Sequence, residues 1–176
     1  MGKRYIMTAF GKDRPGIVAD VSQVLYENGC NLEDSTMTLL ADEFTLILLF
    51  TSGEENIEDQ LSKECRRLER EKAISAFLRL VDEPRTVKKT PFYEKTLHVE
   101  GIDQAGIVYK VSRFLADNSL NIVDLISRIK ASPNSGTAFY VMDIHIQIPE
   151  GTDMDSINNG LARTGEELNV EIGFKD

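Results

Sequence analysis

The chain has 176 residues, 41% of them apolar, and a net charge of −9 from 29 acidic against 20 basic side chains. That is room for one large domain or two small ones, and an acidic surface of this kind is repelled by a phosphate backbone, which argues against direct nucleic-acid binding. The longest apolar run, Phe44–Phe50, is strand-sized and far short of a membrane span; the start, "MGKRYIM", lacks the apolar stretch of a secretory signal, so a cytoplasmic protein is expected.

In chain order, "RYIMTAF" reads as a strand and "PGIVADVSQVLYENG" as a helix with Ile17, Val18, Val21, Val24 and Leu25 on one stripe. Its terminal Asn-Gly tolerates a left-handed cap. "CNLEDSTMTLL" is polar and alternating, as an exposed edge strand is; "EFTLILLFTS" is a central strand. "NIEDQLSKECRRLEREK" spaces Ile57, Leu61 and Leu68 helically, and "AISAFLRLVD" closes with a strand. The polar, proline-bearing stretch at 84–92 reads as a linker. Beyond it the order repeats with "YEKTLHVE", "AGIVYKVSRFLADN", "LNIVDLISRIK", "TAFYVMDIHIQI", "MDSINNGLARTGEEL" and "NVEIGF".

The repeat is also visible residue by residue. Gly11, Asp13, Gly16, Ile17, Val18, Val21, Ser22, Leu25, Asn28, Asn31 and Asp34 recur ninety positions on, from Gly101 to Asp124. Such density marks a duplication. The expectation is an α+β protein of two ferredoxin-like βαββαβ units, residues 1–83 and 93–176, each an antiparallel four-stranded sheet with both helices on one face. The first and third strands are central and the second is an edge. In the second unit Val141, Ile144, Ile146 and Ile148 are expected to face inward, against Asp143, His145 and Gln147. In the first, Ile47 and Leu49 point opposite to Leu46, Leu48 and Phe50, so something is expected to cover the open face.

Chemistry-bearing residues are sparse. Cys30 and Cys65 have no second cysteine at ligand spacing and read as free thiols; His98 and His145 read as solvated strand residues. No catalytic constellation, metal cluster or phosphate-binding glycine run is present, so neither enzymatic activity nor a cofactor is expected. What stands out is the turn between first strand and first helix. Asp13 is expected at or beside the helix N-cap, Pro15 in the first turn, and Gly16 as the opening through which a carboxylate reaches free amides and the positive end of the dipole. Asn31 and Asn121 open the edge strands, and an Asn amide both donates to a carboxylate and accepts from an ammonium. If two units pair edge to edge, that Asn comes close to the neighbour's turn. Such pairing of the two copies would give one eight-stranded sheet.

"GKDRPGIV", "GCNLEDSTM" and "EFTLILLF" together strongly resemble the ACT domain, in which an Asp-x-x-Gly turn precedes the first helix and Asn-aliphatic opens the second strand. Two such units alone resemble the glycine cleavage system transcriptional repressor family. The resemblance implies binding of a small amino acid, glycine favoured, between adjacent ACT units, through Asp13, Arg14, Pro15, Gly16, Ile17, Asn31 and Leu32 in the first copy and Asp103, Gly106, Ile107, Asn121 and Ile122 in the second. The second copy departs at Gln104 and Ala105, which puts the first site ahead. It also implies control of a DNA-binding activator by protein–protein contact. The open sheet face is expected to be covered by the other copy, by a second chain or by the regulatory partner, with homodimerisation the preferred version. A ligand-independent interaction module, or an RNA-binding module of the same strand order, is the alternative.

Overall fold

Ile17, Val21, Val24 and Leu25 recur at helical spacing and are all buried, which fixes the first helix, α1 (Ile17–Glu27), against its sheet. The computed structural model describes residues 2–81, 91–131 and 138–175. The chain divides into two compact units, Met1–Val87 and Lys88–Asp176. Most of the stretch read as linker, at 84–92, lies outside the described residues.

In the first unit, β1 (Lys3–Lys12), α1, β2 (Asn31–Leu40), β3 (Glu43–Ser52), α2 (Ile57–Lys72) and β4 (Ser75–Leu80) follow in the expected order. The sheet is antiparallel in the order β2-β3-β1-β4. In the second, β5 (Phe92–Ile102), α3 (Ile107–Asp117), β6 (Asn121–Ala131), β7 (Ala138–Pro149), α4 (Met154–Leu168) and β8 (Val170–Phe174) give the order β6-β7-β5-β8. β2 and β6 are therefore edges. Every residue of β2 is exposed.

One face of each sheet packs on its helices. In the first unit Tyr5, Met7 and Ala9 of β1 join Phe44, Leu46, Leu48 and Phe50 of β3 and the helical stripes. Cys65 belongs to the α2 stripe with Ile57, Leu61 and Leu68, and burial raises the pKa of its thiol. Each aliphatic side chain so buried contributes roughly 1.5–3 kcal/mol. Val18, expected on the α1 stripe, is 42% exposed, because it lies one step round from the row that meets the sheet.

In the second unit Leu97 and Val99 pack with Met142, Ile144, Ile146 and Ile148. Here the sequence reading needs correcting. Met142, not Val141, is the inward residue, because strand alternation keeps even positions of β7 on the helix side. β2 and β6 each also carry a bulge at the same place, between Leu32 and Asp34 and between Ile122 and Asp124.

Candidate functional site

Both glycines of each repeated motif have a backbone reason to be there. Gly11 and Gly101 lie in β1 and β5 where another segment crosses closely. A Cβ at Gly11 would sit 3.0 Å from the Ala73 carbonyl oxygen, and one at Gly101 would sit 2.9 Å from Val170 Cα. Gly16 and Gly106 are the N-caps of α1 and α3 and hold φ of 87° and 98°, the left-handed region that glycine enters without a Cβ penalty. The space beside Gly106 is open. The glycine requirement there is conformational, whatever else the turn does.

The helix start therefore differs from the expected one. α1 begins at Ile17, Pro15 precedes its N-cap, and Asp13 stands outside the helix with no capping hydrogen bond. The Asp13 amide instead donates to the Asp42 carbonyl at 2.8 Å, tying the turn to the β2–β3 hairpin. The Asp103 amide makes the corresponding bond to Ala138 at 3.3 Å. Among the described residues no side chain accepts from the first-turn amides of α1 or α3, whereas Asp153 caps α4 through Asp155 and Ser156.

Arg14 does not point a free cation at this turn. Its guanidinium reaches Asp20 at 2.5 Å, and Lys72, the last residue of α2, reaches the same carboxylate at 3.4 Å. Arg14, with Lys72 beyond it, holds the Asp20 carboxyl below its ordinary value. In the second unit Gln104 takes the place of Arg14 and donates to the Leu168 carbonyl at the end of α4, while Lys110 pairs with Glu167. In both units the turn is anchored to the C-terminal end of the second helix, by ions in one and by an amide in the other. Nothing in the sequence spacing pointed to these anchors.

Ile17 and Ile107 are buried core residues, 3% and 2% exposed. Leu32 is exposed on the helix side of β2, and Ile122 packs half-buried against its core. Asn31 and Asn121 lie at the far end of the sheet from their own unit's turn. Asn31 pairs across Thr51 to Arg4, whereas Leu40 pairs across Glu43 to Lys12, just before the turn. From Arg4 to Lys12 is roughly 25–30 Å along the strand. Asn121 donates to Gln147 at 3.2 Å. No such side-chain bond is made by Asn31 among the described residues.

The two open sheet faces have diverged. In the first unit it carries Ile6, Thr8, Phe10, Thr45, Ile47, Leu49 and Phe77, with Phe10 and Phe77 stacked at 5.9 Å. In the second a polar lattice lies beside a smaller apolar group of Ile102, Phe139, Val141 and Ile126. His98 lies 2.6 Å from Asp143 and 3.4 Å from Glu100, Lys175 reaches Asp143 at 2.7 Å, and His145 bonds Thr96 at 3.0 Å. Lys175 first, then His98, hold the Asp143 carboxyl below its ordinary value. Among the described residues no three His, Cys, Asp or Glu side chains are grouped to hold a metal, and no helix is long and apolar enough to cross a membrane.

Comparison with known proteins assigns the pattern. Residues 3–78 match the ACT domain family. Over 177 aligned residues the chain is 31% identical to the glycine cleavage system transcriptional repressor of Escherichia coli (strain K12), covering 94% of this chain and 86% of that one. The chain belongs to the glycine cleavage system transcriptional repressor family. The Shigella flexneri repressor matches with the same identity and coverage. A crystal structure of an unknown protein from Galdieria sulphuraria superposes with a TM-score of 0.81 at 27% identity, over 99% of this chain and 98% of that one. In this repressor-family chain the ACT match covers the first unit, and the second unit is joined to it by the internal repeat and by the full-length relatives.

Proposed function

We propose that this chain is a non-catalytic, cytoplasmic regulator that binds a small amino acid, glycine in first place, and acts on a DNA-binding activator of glycine cleavage through direct protein contact. Membership of the repressor family supports the regulatory role. The observation that carries the ligand reading is the repeated turn: two helices begin at a left-handed glycine with their first-turn amides unclaimed by side chains. Such amides, at the positive end of a helix, suit a carboxylate.

The geometry supplies a reason for the Asn as well. The turn and Asn31 lie at opposite ends of the unit's sheet, so an antiparallel pairing of β2 with the corresponding edge strand of another ACT unit would bring them together. That pairing would set the Asn31 end beside the partner's hairpin, where the turn is tied through Asp13 and Asp42. The amide groups of the turn would take the ligand's carboxylate, and Asn31 its ammonium.

Calorimetry against glycine, alanine, serine and larger amino acids tests the reading. Binding of a small amino acid that weakens in Asn31→Ala is the expected result; no heat and no thermal shift with any of them removes it. One observation favours a second reading, a ligand-independent interaction module. The left-handed φ at Gly16 and Gly106 explains both glycines without a ligand, and an absence of any amino-acid-dependent change in melting would favour it.

A further inference from the structure

The strand register of the first unit arranges its open face in rows that run across all strands. Arg79, Ile6, Leu49 and Asp34 form one row, and Phe77, Thr8, Ile47 and Thr36 the next. Ser75, Phe10, Thr45 and Thr38 form the third; Lys12, Glu43 and Leu40 close one end of the face, and Arg4, Thr51 and Asn31, with Arg4 paired to Glu33 at 2.6 Å, close the other. The middle rows carry no charge in a chain whose net charge is −9. Phe10, Ile47 and Phe77 are 42%, 43% and 63% exposed.

The first row is basic at one end and acidic at the other, the second alternates large and small, the third has one large residue, Phe10, beside Thr45, and the last sets Lys12 beside Glu43. A two-fold axis parallel to the strands, passing between β1 and β3, keeps each row at its level and reverses its order. β4 then meets β2 of the second copy, and β1 meets β3. Arg79 would face Asp34 and Lys12 would face Glu43. Phe77 would cover Thr36, Ile47 would cover Thr8, and Phe10 would cover Thr45. Twisted sheets packed face to face stay within about 30° of parallel, so the rows remain opposed across the centre.

From this complementarity we propose that the open face of the first unit is the contact between two copies of the chain, packed sheet on sheet about that axis. Four strands and the length of these rows give a patch of about 20 by 25 Å, on the order of 1,000 Å² over both copies, which is enough for a specific interface of good fit. The opposite copy is the occupant because Arg79 would meet Asp34, Lys12 would meet Glu43, and Phe77, Ile47 and Phe10 would each meet a threonine. The second unit's face is unsuited to such dry packing, since His98, Asp143, Glu100 and Lys175 occupy it with their own ion pairs. The proposal stands on the sheet face alone and is independent of the amino-acid reading.

The test is the mass of the full chain by light scattering at micromolar concentration. Phe77→Glu lies at an exposed edge position and is expected to fold normally and to halve the mass. Arg79→Glu, which would oppose Asp34 with a like charge, is expected to weaken association, and Asp34→Arg combined with Arg79→Glu to restore it. A monomeric wild type, an unchanged mass in Phe77→Glu, no weakening in Arg79→Glu, or no recovery in the double variant overturns the proposal. Halving by Met37→Glu on the β2 edge, with Phe77→Glu unaffected, assigns self-association to that edge and overturns it too.

Discussion

Asp20 on α1 and Lys110 on α3 occupy the same place in the two units with opposite charge, and each meets the opposite sign on its unit's second helix. Asp20 faces Lys72 at 3.4 Å, and Lys110 faces Glu167 at 2.5 Å. The duplication kept an attraction while exchanging its poles. In the first unit alone, the acid of this pair also holds the glycine turn through Arg14.

That difference has a pH signature. Arg14, with Lys72, lowers the Asp20 carboxyl below its ordinary value of 3.8 in the folded chain. A lowered pKa contributes stability that is present above the unfolded value and is lost as pH falls through the folded one. Asp20→Asn is therefore expected to melt below wild type at neutral pH, with the two curves converging as pH drops below 3.8. Thermal melts across the acid range check this; a gap that persists unchanged at low pH rules out the carboxylate as its source.

Gly16→Ala and Gly106→Ala are each expected to cost about 1–2 kcal/mol, the penalty for placing a Cβ in the left-handed region. Gly16→Asn should cost less, since asparagine tolerates that region. Denaturant titration measures all three. Gly16→Val is a poor probe of ligand binding for the same reason, because a β-branched residue at a φ of 87° strains the fold itself.

Gly101 and Gly173 test close approach against open space. A Cβ at Gly101 would fall 2.5 Å from Val170 Cγ1, while one at Gly173 meets nothing within 4 Å. Gly101→Ala is expected to destabilise by about 1–3 kcal/mol through overpacking, and Gly173→Ala to be neutral. Equal midpoints for the two variants would show that β8 yields freely.

For the proposed ligand site, Asn31→Ala is expected to weaken amino-acid binding by about 1–3 kcal/mol through loss of a polar contact. Asn121→Ala should matter less, because Asn121 is already engaged with Gln147. Parallel calorimetric titrations decide the order, and a larger loss at Asn121 would move the dominant site to the second unit.

The element order was legible because helix and strand periods are strong signals here. Ile57, Leu61 and Leu68 mark a buried helical stripe, and β3 shows its two apolar faces in the run from Phe44 to Phe50. Single-residue parity was less secure: Val141 and Met142 are both apolar, so composition alone does not say which faces inward. The site was legible as a motif and not as a mechanism of folding. Asp-x-x-Gly suggests a side-chain cap, yet the Asp13 backbone amide makes the contact, to a residue far along the chain. The Arg14–Asp20–Lys72 and Gln104–Leu168 anchors join separate elements and left no local periodic trace.

The irregularity at Glu33 in β2, repeated at Val123 in β6, bears on how the chain stays dispersed. A ten-residue strand with every position exposed, including Leu32, Met37 and Leu39, is a ready template for endless lateral stacking. The extra residue breaks the ladder into unequal straight pieces, so a single partner strand can pair with it while unlimited flat stacking is disfavoured. Removing Glu33 would leave Leu32 opposite Phe50 and Asp34 opposite Leu49 in an unbroken ladder, with Met37 and Leu39 still on the helix side. A chain lacking that residue is expected to form fibrous aggregates on concentration, where the intact one stops at a defined assembly.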